Sequence, residues 1–202
     1  MSHPIGHTSN VPMSHPIAHT KHLDPTSPSP WVVRFVALVR PGGRVLDLAC
    51  GQGRHSLLLA ARGFEVLAVD RDAAALEGLA ATPNLTTRVA DLESGAWPFA
   101  GDQFDAIVVT HYLHRPLFPH LLAALSPEGV LIYETFAAGN ERFGRPSNPD
   151  FLLLPGELIA RANGPLTIVA FEQGWIAGER PVVIQRLAAV GSRYVWPPPL
   201  PA

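Results

Sequence analysis

Four short groups of residues in this chain are of types that do chemistry. The first is Asp47-Leu48-Ala49-Cys50-Gly51-Gln52-Gly53-Arg54, where the apolar run Arg44 to Leu48 carries a carboxylate into a turn with two glycines. The second is Asp70-Arg71, closing the apolar run Phe64 to Val69. The third is Asp91-Leu92, after Leu85 to Ala90. The fourth is Thr110-His111-Tyr112, continuing as Leu113-His114-Arg115, after Phe104 to Val109. A glycine turn between a strand and a helix lets a ligand approach bare backbone. The helix start behind it carries partial positive charge.

Asp47 indicates which ligand. An ionised carboxylate at the approach to the turn repels a pyrophosphate at short range and attracts an ammonium or a sulfonium. S-adenosylmethionine (SAM) carries both cations and no phosphate. Asp70, about twenty residues further on, can hold ribose hydroxyls of either cofactor class and does not discriminate. A complete G-x-G-x-x-G would place glycine where Ser56 stands, and no Gly-Lys-Ser/Thr follows to make a P-loop. A nicotinamide-dependent oxidoreductase on a similar sheet is therefore the weaker alternative. A SAM-binding protein without turnover is a further alternative that the sequence does not separate.

These residues resemble a known family. Val45 to Asp70 looks like the first two motifs of class I SAM-dependent methyltransferases. Asp47-x-x-Cys50-Gly51-x-Gly53-Arg54 is similar to the small TehB-like (tellurite-resistance) group. The family's usual first glycine is Ala49 here. The resemblance extends, more loosely, from Trp31 to Val190. It implies a cofactor set of Asp47, Ala49, Cys50, Gly51, Gly53, Arg54, Asp70, Arg71, Asp91, Leu92 and Thr110. Within it, Asp47 would face the ammonium, Asp70 the ribose, and Asp91-Leu92 the adenine. The expected activity is methyl transfer to a small molecule, for which the resemblance admits a metalloid oxyanion or a thiol.

The cofactor carries the difficult chemistry in such a reaction, so the protein mainly positions and excludes water. His111 and Tyr112 are the candidates for substrate contact or general base. Against that stands a plainer reading, in which Tyr112 closes the pocket and His114 packs or caps the next helix. Cys50 has no evident partner base and reads as a packing residue of the loop. The polar stretch 137–154, with Asn140, Arg142, Arg145 and Asn148, reads either as a lid whose arginines bind a small anion or as a solvated loop.

Composition bounds the rest. The 202 residues are 47% hydrophobic, enough for one domain with a real core. A formal net charge of −2 gives no basic footprint for nucleic acid. The single cysteine permits no internal disulfide. No apolar run suggests a membrane span and no signal peptide is visible, so a cytoplasmic location is expected. No metal site is expected. Met1-Ser2-His3-Pro4-Ile5 recurs as Met13-Ser14-His15-Pro16-Ile17, and five of the nine histidines lie before residue 29. Residues 1–28 read as a disordered leader, 29–192 as the catalytic domain, and 193–202 as a proline-rich tail. The oligomeric state is left open.

The elements that must position these residues alternate. Strands are expected at 44–48, 64–69, 85–90, 104–110 and 130–136. Helices are expected at 31–39, 54–62, 72–81, 116–125 and 155–162. A closing antiparallel pair is expected at 166–172 and 181–188. The fold class is α/β: a Rossmann-like, seven-stranded, mostly parallel sheet with helices on both faces and an antiparallel last strand. In such sheets ligands bind at the carboxyl ends of the strands, where all four groups fall.

Overall fold

The computed structural model describes residues 26–201. The His-rich repeat lies outside them. Seven strands form one sheet in the order β3-β2-β1-β4-β5-β7-β6. These are β1 (Arg44–Leu48), β2 (Glu65–Asp70), β3 (Leu85–Val89), β4 (Phe104–Thr110), β5 (Leu125–Phe136), β6 (Thr167–Ile176) and β7 (Val182–Val190). β1 to β5 pair in parallel, and β7 runs antiparallel to both β5 and β6. Central strands are unbroken apolar runs because both faces are covered: Ala106 to Val109 are fully buried.

The strand period of two divides the core. Val45, Val66, Ala106 and Ile132 face α1 (Pro30–Phe35), α2 (Arg54–Ala61) and α3 (Ala73–Glu77). Leu46, Ile107, Leu131 and Tyr133 face α4 (Phe118–Ala124) and α5 (Glu157–Ala162). Ser29 starts α1 by accepting the Trp31 amide, with Pro30 at the first helical position. Asp72 caps α3 by accepting the amides of Ala74 and Ala75. The expected helix over 72–81 is only five residues long, since Gly78 follows at once and no cap holds a second turn. The helix expected at 116–125 begins instead as a 3-10 turn, Arg115–Leu117. β5 reaches back to Leu125, with a register shift opposite Phe104 and Ala106.

The crossover from β3 to β4 contains no helix. Residues 90–103 cover that part of the sheet with aromatic side chains instead. Phe99 is buried against Phe104, edge to face at 6.1 Å, and against Trp97 at 5.0 Å. The proline-rich C-terminal stretch is tied back to the first helical segment. The Tyr194 hydroxyl donates to the Leu38 carbonyl, and Arg34 donates to the Pro201 carbonyl. If Phe99 substitutes for the missing helix, Phe99→Ala should cost about 3–4 kcal/mol. Chemical denaturation checks this, and a loss under 1 kcal/mol would mean that the loop is not part of the core.

Candidate functional site

Strand alternation puts Asp47 on the α1–α3 side of the sheet, one residue from the end of β1. Its carboxylate is buried. One oxygen accepts the Ser56 hydroxyl at 2.6 Å, and the other has no hydrogen-bond partner. Burial pushes its pKa up to about 6, against the pull of Ser56 and the nearby Arg54 guanidinium. Ser56 was legible only as a missing glycine. In the structure its hydroxyl, in the first turn of α2, anchors the key carboxylate.

The loop above Asp47 is wound tightly. Ala49, Gly51 and Gly53 all have positive φ, at 53°, 56° and 75°. For Ala49 this is a strained conformation. A Cβ on Gly51 would point into open space, whereas one on Gly53 would lie 2.4 Å from the Leu79 side chain. Gly53 is therefore required by packing against Leu79, and Gly51 keeps a surface clear. The loop amides are already spent: Cys50 donates to the Val69 carbonyl, Gly51 to the Asp70 carboxylate at 2.7 Å, and Gly53 to the Cys50 carbonyl. The other Asp70 oxygen accepts the Asp72 amide. A pyrophosphate thus finds none of these three N–H groups available. The Cys50 thiol is held protonated by burial and by the charges of Asp47 and Asp70, so it is no nucleophile.

Three clefts meet at the carboxyl edge of the sheet. A first, of about 260 Å³, lies between Ala49, Asp70 and Arg71 on one side and Asp91, Leu92 and Tyr112 on the other. A second, of about 500 Å³, runs along Cys50, Gly51, Gln52, Arg54 and Thr110, with Thr26 at its edge. A third, of about 230 Å³, lies between Tyr112, Leu113, Thr135, Phe136, Pro146 and Phe151. His111 lines all three, and Glu93 lines the first and third. All the residues expected at the site line the first or second cleft except two. Asp47 and Gly53 stand behind the loop, so of Asp47 only the field, not the side chain, reaches into the clefts. Asp91 has both oxygens engaged by its own turn, from the Glu93 amide and the Ser94 hydroxyl.

His111 sits at φ 54°, and its amide donates to the Glu134 carbonyl. Its Nδ1 lies 3.3 Å from an Arg54 nitrogen, which can only donate. Loss of water around the ring and the Arg54 charge hold its pKa down, to about 4, although the residue keeps an exposed surface. The Tyr112 hydroxyl is buried without a hydrogen-bond partner, and burial together with Glu93 pushes its pKa up. Neither group is tuned as a base for neutral pH. His55, which the sequence did not single out, accepts the Ser29 amide at Nε2 and meets the Thr110 hydroxyl at Nδ1. Burial keeps it neutral, with a pKa of about 3.

The stretch 137–154 is a loop with two anchors. Buried Asn140 accepts the Val183 amide and donates to the Pro146 carbonyl. Arg115 donates to the carbonyls of Asp150 and Leu152 and to both oxygens of Glu157. Burial would raise the Glu157 pKa, but these bonds outweigh it and leave it lowered. Asn148 accepts the Asp150 amide. Arg142 and Arg145 are exposed and line none of the three clefts, so the anion-binding reading of the loop finds no support in their placement.

The strand order 3-2-1-4-5-7-6, with an acidic loop after β1, is that of the Rossmann-like methyltransferase fold. Residues 45–129 match the family model described as a methyltransferase domain. Over 119 residues the chain is 29% identical to the protein YqeM of Bacillus subtilis, covering 54% of this chain and 48% of that one. It is 34% identical over 116 residues to the demethylmenaquinone methyltransferase of Clavibacter sepedonicus, covering 53% and 47%. Among solved structures, TehB from Haemophilus influenzae superposes with a TM-score of 0.66 at 20% identity, covering 79% of this chain and 61% of that one. The chain spans about half the length of these two sequence relatives. No helix among the described residues is long and apolar enough to cross a membrane.

An unpartnered, buried carboxylate oxygen behind the loop suits the cationic amino-acid end of SAM, and the open space at Gly51 leaves room for it. The sign of the pH effect follows. A bound cation favours ionised Asp47, so affinity for the demethylated product S-adenosylhomocysteine should tighten between pH 5 and 7, by up to about tenfold for a pKa near 6. Asp47→Asn should bind more weakly and with a flat profile over that range. A second expectation concerns the loop anchor: Arg115→Ala should cost roughly 2 kcal/mol, since it leaves Glu157 and two carbonyls short of donors. Limited proteolysis within 143–151 should accelerate in that variant, with cofactor affinity unchanged.

Proposed function

We propose that this protein transfers the methyl group of SAM to a small-molecule acceptor that enters through the third cleft. The observation that carries this reading is the pairing of Asp47 with a glycine loop in which the Cys50, Gly51 and Gly53 amides are already engaged by protein groups. That pairing suits an ammonium and refuses a diphosphate. When bound, SAM supplies an electrophilic methyl group and a good leaving group; what the chain contributes is placement and dryness. Asp70 and Arg71 flank the position for the ribose, Asp91 and Leu92 that for the adenine, and Ala49, Cys50, Gly51, Arg54 and Thr110 line the amino-acid end. His111 and Tyr112 stand where the cofactor clefts meet the third cleft. Since neither suits a general base at neutral pH, their proposed role is to wall and orient the acceptor. The reaction then falls to acceptors that are nucleophilic once desolvated or that lose their proton to water.

The small volume of the third cleft, and strand connections that among the described residues carry no inserted domain, support a compact acceptor. The oxidoreductase alternative is disfavoured by the same loop hydrogen bonds. Calorimetric titration against SAM, S-adenosylhomocysteine, NAD and NADP tests the assignment. SAM and its product should bind and the dinucleotides should not. Gly51→Val, whose side chain would enter the open space of the second cleft at a strained φ, should weaken SAM binding at least tenfold while leaving a cooperative melt. Tight NAD binding with no SAM binding would reverse the assignment. Labelled-methyl transfer to an acceptor panel separates an enzyme from a SAM-binding protein without turnover.

A further inference from the structure

The third cleft has a lining that is not neutral about charge. Tyr112, Leu113, Phe136, Pro146 and Phe151 give it aromatic and aliphatic walls, and Glu93 is its only lining residue with a formal charge. His111 adds an imidazole that is uncharged at neutral pH. The nearby cations are turned elsewhere. Arg115 spends its guanidinium on Glu157 and on the Asp150 and Leu152 carbonyls. Arg54 lies at the far side of His111 and bonds that ring and the Ser27 carbonyl. Arg71 lines the first cleft but not the third, and Arg142 and Arg145 line neither.

We propose that the third cleft selects an uncharged or amine-bearing acceptor with an apolar ring or chain, and rejects oxyanions and carboxylates. This deepens the methyl-transfer reading and rests on it. An anion entering here would lose its water to apolar walls, meet no cation, and face the Glu93 carboxylate. An amine would meet that same carboxylate as a partner, and its apolar body would lie on Phe136 and Phe151. The buried Tyr112 hydroxyl, beside the Glu93 carboxylate, offers a donor to a neutral oxygen or nitrogen. In the transfer itself, an ammonium acceptor first gives one proton to water. Its freed lone pair then forms the bond to the methyl carbon as the methyl–sulfur bond breaks, and that electron pair stays on sulfur.

The test uses the full chain saturated with S-adenosylhomocysteine and four probes: benzylamine, benzyl alcohol, benzoate and tellurite. The first three share a shape and differ in charge. Benzylamine and benzyl alcohol should bind at least tenfold more tightly than benzoate, and tellurite should give no saturable signal. Phe151→Ala should weaken both favoured probes severalfold without moving the affinity for S-adenosylhomocysteine. Glu93→Gln should erase most of the preference for benzylamine over benzoate. Benzoate or tellurite binding as tightly as benzylamine, or neither favoured probe binding the loaded protein, overturns the proposal while the methyl-transfer reading stands. Failure of S-adenosylhomocysteine itself to bind would instead remove the reading beneath it.

Discussion

A carboxylate buried with a single hydroxyl for company sets the terms of this structure. Removing Asp47 from water is unfavourable, and its pKa near 6 reflects that. The surroundings are arranged to hold it nonetheless. Ser56 must lie at the start of α2 within reach, so the chain from β1 has to turn into the helix without delay. That turn needs three left-handed residues in a row of five, at Ala49, Gly51 and Gly53. Asp70 completes the arrangement from the next strand by taking the Gly51 amide. The loop is thus shaped by two negative charges, one below and one beside it, and three of its amides, those of Cys50, Gly51 and Gly53, bond to protein groups.

From this edge the remaining architecture acquires a division of labour. The face carrying α1 to α3 holds the loop, with the buried histidine behind it. The opposite face carries α4 and α5, and the aromatic filling of 90–103 takes the place of a helix. The loop over 137–154 is fastened to that second side by Arg115 and Glu157, and to β7 by Asn140. His111 stands at the seam, where β4 ends. A strained backbone at a point shared by three cavities is a common signature of a residue whose placement matters more than its comfort.

Much of this was legible in the residues. β1 and β4 lie where their apolar runs put them, and the antiparallel closing pair follows from the short glycine-containing loop between its strands. Ser29-Pro30 and Asp72 announce helix starts by simple capping chemistry. Helix lengths were less legible: α3 stops after five residues at Gly78, although Leu79 just beyond it is still buried in the core. The candidate site was readable as a set of residues but not as a geometry. Nothing local says that Asp47 points behind its loop, that Gly53 is demanded by Leu79, or that the arginines of 137–154 look outward. Glu93, Phe136 and Phe151 come from three separate segments that only the folded sheet brings together. Ser56 carried a usable signal, a hydroxyl where a dinucleotide site has glycine, but its positive role depends on a hydrogen bond across nine residues of sequence.

The two ring nitrogens of His55 have opposite duties. One must accept, because the Ser29 amide donates to it; the other must therefore carry the proton, and it is aimed at Thr110. The tautomer is dictated from both ends. The imidazole is thus a crossbeam between the first helix and the fourth strand, silent to acidity across the physiological range. An asparagine or glutamine could imitate one joint but would have difficulty spanning both. Any sliding of α1 over the sheet has to begin by breaking that beam, so the wall that Thr110 gives the second cleft is tied to a helix that does not line it.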